Sequence, residues 1–257
     1  VTRLLQPTCF SVKILIMSDT KRRIEIIDAV RGFAVVMMVA HHALYNSAAF
    51  LGAPWWVYRN PVFDVLQPFF VGLFVLVSGI SSRFSKGNIE RGAICIVFAV
   101  IVTYVTTRME MPITFGILHK LGLLMIFYGL TRKFWDKLPA KVAPALYIAL
   151  ILSSIAARVF LSPTSDNLVM RDILSVLGWH QVGFVSFDYQ PILPGIFVFL
   201  FGTWAGTYIK DGKFPKWFYE KKFPIFPAIG RKALAVYIIH QPILFSITML
   251  IAHLMSL

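Results

Sequence analysis

The chain of 257 residues is 58% hydrophobic and only 14% charged, with a mean hydropathy of +0.73. Soluble domains average about 45–50% apolar and about 25% charged residues, so this chain lacks the polar groups to cover its own surface, and a water-soluble globule is excluded. Its net charge of +13 does not mark a nucleic-acid binder, because the basic residues fall in short clusters between long apolar runs, as in cytoplasmic membrane loops. The two cysteines, Cys9 and Cys95, lie far apart, one of them inside an apolar run, and give no disulfide or metal framework.

Taken in order, residues 1–21 read as an N-terminal tail. Met17-Ser18-Asp19-Thr20 has the look of a native start, which would put residues 1–16 upstream of it, and 9–17 is too short and broken for a signal peptide. Residues 22–257 read as one all-α transmembrane domain. Crossing the hydrocarbon takes about 20 apolar residues, and seven runs qualify: 30–50, 65–82, 93–107, 115–130, 142–161, 191–209 and 234–254. The fourth is short and carries Lys120. Lys and Arg crowd into alternate connections: 21–31, 83–91, 132–141 and 210–232. That bias predicts a cytoplasmic N-terminus and, with seven spans, an outer C-terminus. It also predicts a multi-pass protein of the plasma (inner) membrane.

The outer connections differ in character. Pro54-Trp55-Trp56-Val57-Tyr58 is an aromatic cluster suited to the lipid–water boundary. Residues 162–190 form the longest outer segment, with a mildly apolar stretch at 174–187 expected to be a short interfacial or re-entrant helix. The inner loop 210–230 mixes lysines with Trp217, Phe218 and Tyr219, a composition suited to anionic headgroups.

Polar residues inside apolar runs are costly and therefore functional candidates. Arg31 begins the first run and Asp28 lies three residues before it, within ion-pair reach. His42 follows Arg31 by eleven residues, about 16 Å along a helix. His41 points about 100° away from His42, so only one of the two is expected to face a given site. His119 stands between Gly116 and Gly122, His240 just before Pro242, and Asp188 at the head of the sixth run. Each has a structural alternative: helix packing for His119, satisfaction of the Ile238 carbonyl freed by Pro242 for His240, and a helix cap for Asp188. No metal or haem is expected.

In combination these segments resemble a known family. Arg22-Arg23-Ile24-Glu25-Ile26-Ile27-Asp28-Ala29-Val30-Arg31-Gly32, running on to His42 and Tyr45, is similar to the opening of the heparan-alpha-glucosaminide N-acetyltransferase catalytic-domain family, in its short bacterial members. Ser78-Gly79-Ile80-Ser81, Asn88, Arg91-Gly92, Phe115-Gly116-Ile117-Leu118-His119, Asp188-Tyr189, Gly230-Arg231 and Tyr237 with His240-Gln241-Pro242 follow in the family's order. The Arg31-to-His42 spacing also resembles the first-helix signature of the membrane acyltransferase-3 group. The resemblance implies an integral-membrane acyltransferase that takes an acetyl or other acyl group from cytoplasmic acetyl-CoA or another acyl-CoA. The group passes to an extracytoplasmic saccharide amine or hydroxyl. The sequence departs from the lysosomal members in having no histidine within 43–64, where theirs takes part in acetyl transfer.

A hydroxyl or amine attacking a thioester needs a base and a donor to the developing oxyanion. The catalytic candidates are therefore His42 as base, His119 to orient the acceptor, and Asp188 beside it. Coenzyme A carries phosphates that call for cations and amides at the cytoplasmic mouth, where Arg31, Asn88, Arg91 and Arg231 are the candidates, with His240 toward the donor. Expected partners are membrane lipid, acyl-CoA and a saccharide acceptor, without nucleic acid, and a homodimer is compatible with these helices. The alternative is a small transporter or flippase, which also needs mid-membrane polar groups and broken helices; consumption of labelled acetyl-CoA separates the two.

Overall fold

Every apolar run of the sequence is helical in the computed structural model, which describes residues 23–256. The proposed start at Met17 and most of the tail lie outside the described residues. Ten helices and no strands occur among the described residues. Five are long and apolar enough to cross a membrane: α1 (Glu25–Phe50), α2 (Pro61–Phe84), α3 (Asn88–Arg108), α5 (Ala143–Phe160) and α10 (Ala233–Met255). The two other runs counted as spans form α4 (Ile117–Trp135) and α7 (Gly195–Lys210). With 16 residues, α7 is about 24 Å long, short of the roughly 30 Å hydrocarbon layer. Three shorter helices complete the chain: α6 (Leu168–Leu177), α8 (Lys216–Glu220) and α9 (Phe226–Arg231).

Local chemistry sets the helix ends. The Asn60 side chain accepts from the Val62 and Phe63 amides at 3.0 and 3.1 Å, so α2 starts at Pro61, four residues before the apolar run. In the outer segment, α6 begins earlier than the apolar stretch 174–187 suggests. Asn167 caps it by accepting from the Met170 amide, and Gly178, at φ 135°, ends it in a conformation open to glycine. Trp55 and Trp56 are exposed on a short 3₁₀ turn after α1, as suits a boundary cluster.

The helices are laid side by side: α5 on α7, α7 on α2, α2 on α1, and α1 on α9 and α10, while α3 packs on α4. Between helices in lipid there is little hydrophobic drive, so close backbone approach at small residues has to supply the packing. Three crossings do so. A Cβ on Gly79 would stand 2.1 Å from the Phe199 carbonyl oxygen, and one on Gly202 2.3 Å from that of Leu76, locking α2 to α7. Gly92 and Gly122 face each other's carbonyls across α3 and α4, while between α1 and α9 Gly32 faces the Phe226 carbonyl and Gly230 that of Asp28. The core that results is centred on Val75, Leu124, Tyr128, Tyr147, Phe199 and Leu200.

These contacts separate two glycines of the same helix. A Gly79→Ala substitution forces α2 off the α7 backbone and should lower the stability of the purified protein by about 1–3 kcal/mol. Gly72 has open space around it, so Gly72→Ala should leave the melting temperature unchanged or raise it through helix propensity. Thermal unfolding of both variants in one detergent checks the contrast.

Candidate active site

A cavity of about 760 Å³ lies among α1, α2, α3, α10 and the segment 186–190. It brings together residues far apart in sequence: His41 and His42 from α1, His240 and Gln241 from α10, and Asp188 and Gln190 from the chain leading to α7. The His42 and His240 rings face each other with centroids 5.0 Å apart.

The protons of these two rings follow from their partners. His42 Nδ1 lies 2.9 Å from the Met38 carbonyl oxygen, and His240 Nδ1 lies 2.6 Å from that of Tyr237. A carbonyl only accepts, so each Nδ1 donates, and in the neutral ring each Nε2 keeps its lone pair. The Nε2 of His240 is buried and has no partner among the described residues. Two imidazoles thus bring basic nitrogens into one cavity.

Asp188 is held beside them. The Tyr237 hydroxyl donates to its Oδ2 at 3.1 Å, and the Gln190 amide donates to its Oδ1 at 3.3 Å. Near the start of α2, the His41 ring packs tilted against those of Tyr58 and Phe63, with centroids 4.7 and 5.6 Å away. It lines the same cavity as His42; the two diverge along the helix, but the cavity is wide enough to take both. Burial pushes the Tyr58 and Tyr189 phenols up, so both stay neutral. The Tyr189 hydroxyl is spent on the Ser175 carbonyl.

His119 is arranged differently. The Gly116 amide donates to its Nδ1 at 3.2 Å, and its Nε2 lies 3.2 Å from Thr103 Oγ1, whose own proton goes to the Ile113 carbonyl. Nε2 therefore carries the hydrogen, the opposite tautomer to His42, and both nitrogens are engaged. His119 lines a separate, more open depression with Tyr104 and Arg108.

The remaining sequence candidates gather at the start of α1. Arg31 donates to Asp28 at 2.7 Å, to the Gly230 carbonyl at 3.3 Å and to the Ser81 hydroxyl, tying α1 to α2 and α9. Asn88 is buried and donates to the Ser82 carbonyl at 2.9 Å, while its Oδ1 has no partner among the described residues. Arg91 and Arg231 are exposed at the same end. His240, grouped with them by sequence, belongs by position to the cavity with His42. Its Nδ1 serves Tyr237 and not the Ile238 carbonyl.

Four polar residues have no site role in the sequence reading. Tyr237 stands one helical turn before His240, and Asn46 one turn after His42; that spacing was the available signal. Gln241 donates to Asn46 Oδ1 at 3.1 Å, which leaves Asn46 Nδ2 and Gln241 Oε1 buried without partners among the described residues. Lys120, which only blurred a span boundary in the sequence, is 5% exposed, with its side chain laid over Gly195.

Because Tyr237 supplies one of the two donors to a half-buried carboxylate, Tyr237→Phe should cost about 1–3 kcal/mol of stability. Equilibrium unfolding in mixed micelles would read it. An unchanged midpoint would mean that the hydroxyl does not support Asp188.

No curated protein and no solved structure matches the chain. A family model described as "Heparan-alpha-glucosaminide N-acetyltransferase, catalytic" matches residues 23–242. The match runs from residue 23, ahead of Arg31, to Pro242, so it takes in His41, His42 and His240 of the cavity and Asp188 between them in sequence. It covers most of the chain, and the protein belongs to the heparan-alpha-glucosaminide N-acetyltransferase catalytic-domain family of membrane acetyltransferases.

Proposed function

We propose that this protein transfers an acetyl or other acyl group from cytoplasmic acyl-CoA to the amine or hydroxyl of an extracytoplasmic saccharide, with His42 as general base. The observation that carries this reading is the pair of free Nε2 lone pairs on His42 and His240, facing one cavity beside Asp188. In the reaction the acceptor's nitrogen or oxygen bonds to the thioester carbonyl carbon as His42 Nε2 removes its proton. The carbon–sulfur bond then breaks. His240, next to His42, accepts that proton and passes it to the departing sulfur. Asp188 favours the transient imidazolium by its charge, and the unpaired Asn46 Nδ2 is a donor within the same polar cluster.

The donor's phosphates are assigned to the opposite end, where Arg91 and Arg231 are exposed and Arg31 and Asn88 shape the floor. On this reading, and in keeping with the Lys and Arg bias of the connections, the N-terminus is cytoplasmic. The seven-span arrangement adds α4 and α7 to the five helices that are long and apolar enough to cross, with the C-terminus outside and the protein in the plasma membrane. His119, with both nitrogens engaged, positions the segment 113–119 that borders the cavity through Ile113 and Ile117.

Labelled acetyl-CoA and an amino-sugar acceptor, supplied to the purified protein, test the reading. His42→Ala should fold and lose about 10²–10⁴-fold in turnover. His119→Ala should instead lose stability while keeping turnover per folded molecule. Normal turnover by His42→Ala would overturn the assignment of the base.

Arg91→Ala and Arg231→Ala should each raise the KM for acetyl-CoA by about tenfold, as expected for one charged hydrogen bond in a screened site. An unchanged KM in both variants would leave these arginines as membrane anchors.

A further inference from the structure

The cavity is far larger than the group to be transferred, and most of its wall is apolar. An acetyl group fills no more room than two or three waters, at about 30 Å³ each, whereas the cavity measures about 760 Å³. Its polar groups cluster on α1, α10 and the segment 186–190. The facing wall, from α2 and α3, is mostly hydrocarbon and ring, with Phe70, Val71 and Phe74 on one side and Ile101, Val105 and Met109 on the other, broken by Gln67 and Thr106. A bare saccharide leaves most of such a wall uncovered, and ordered water finds few partners there.

The shape of this wall is specific. Lining residues run from Phe63 to Phe74 on α2, about 16 Å along the helix at 1.5 Å per residue. That is close to one leaflet of a bilayer whose hydrocarbon core is about 30 Å thick. The wall is also open at the side. Because α3 packs on α4 and not on α1 or α10, Ile101, Val105 and Met109 line the cavity and yet remain 46–50% exposed. On the orientation proposed above, the cavity takes in the middle of α1, from Ala34 to Tyr45, and the outer halves of α2 and α3.

We propose that the acceptor is amphipathic, a saccharide carried on a lipid chain, which enters from the outer leaflet between α3 and α10. Its hydrocarbon lies along the slot between α2 and α3, and its amine or hydroxyl comes to rest at His42 and His240. This rests on the acyl-transfer reading and names the acceptor class for that reaction. The slot holds the chain, and the polar cluster on α1 and α10 receives the head.

The test uses the full-length protein, acetyl-CoA, and methyl, octyl and dodecyl glucosaminides below their micelle concentrations. A fully buried methylene is worth about fourfold in affinity, so kcat/KM should rise at least about a hundredfold from methyl to octyl even with detergent competing for the chain. Ile101→Trp and Val105→Trp, both at exposed positions that tolerate the added ring, should each cut the octyl-to-methyl ratio by about tenfold or more. Equal kcat/KM across the series, or a rise that neither Trp variant reduces, overturns the proposal. So does a chain-length preference that appears on the acyl-CoA and not on the acceptor.

A binding arm keeps failure of this proposal apart from failure of the acyl-transfer reading. A dodecyl glucosaminide with a diazirine in its chain is irradiated with the His42→Ala protein, and the labelled residues are mapped by mass spectrometry. Labels on α2 and α3 within the slot, competed by unlabelled dodecyl glucosaminide, support the proposal even if no transfer is ever measured. Labels scattered over the outer surface, or not competed, overturn it even if acetyl transfer to soluble sugars is found.

Discussion

Backbone touching backbone at glycine is the constraint from which the rest of this structure follows. The chain has too few polar groups to be guided by an oil–water boundary between its helices, so contact geometry has to choose their neighbours. Gly79 with Gly202, Gly92 with Gly122, and Gly32 with Gly230 each bring two helices to the limit of approach. With α7 drawn onto α2 and α9 onto α1, α10 is led back along α1, which puts His240 opposite His42. Because α3 is spent on α4, nothing closes the gap beside α1 and α2, and the cavity is that gap.

The same economy applies to the protons of the site. No separate side chain orients the His42 or His240 ring. Each is held by a carbonyl of its own helix one turn earlier, at Met38 and Tyr237. In an ordinary active site a carboxylate does that work and adds charge to the imidazole. Here a neutral carbonyl fixes the tautomer, and Asp188 is bonded instead to Tyr237 and Gln190. His119 shows the opposite use of the same residue type. With an amide donating to Nδ1 and a hydroxyl receiving from Nε2, it is a brace.

Much of this was legible in the sequence, and the division has a physical cause. Each of the seven apolar runs is a helix, because apolar length is a local property, and Gly32, Gly79, Gly92 and Gly230 of the family resemblance stand at the crossings. The Asp28–Arg31 pair is also local and is present as expected. What did not show was whatever depends on a distant partner. Asn46 reads as an incidental polar residue until Gln241, 195 residues later, donates to it. Lys120 reads as an interruption until Gly195 makes room for its side chain. The start of α6 was missed because a single capping side chain, Asn167, outweighed the apolar average of the segment after it. His41 was assigned away from the cavity on angular grounds alone, and angle says nothing about how wide a cavity will be.

The latch at the start of α1 bears on how the protein is made. Arg31 reaches the Gly230 carbonyl across 199 residues of chain, and ribosomes add about 5–20 residues per second. For about 10–40 s the first helix therefore sits in the membrane with its guanidinium held only by Asp28 and, once α2 has entered, Ser81. Its glycine face at Gly32 waits equally long for α9. During that interval the future cavity has no α10 wall, and His42 faces whatever lipid or insertase surface is at hand. Biogenesis thus runs from an open sheet of helices to a closed site, with the last 30 or so residues deciding whether the earlier ones were inserted to any purpose.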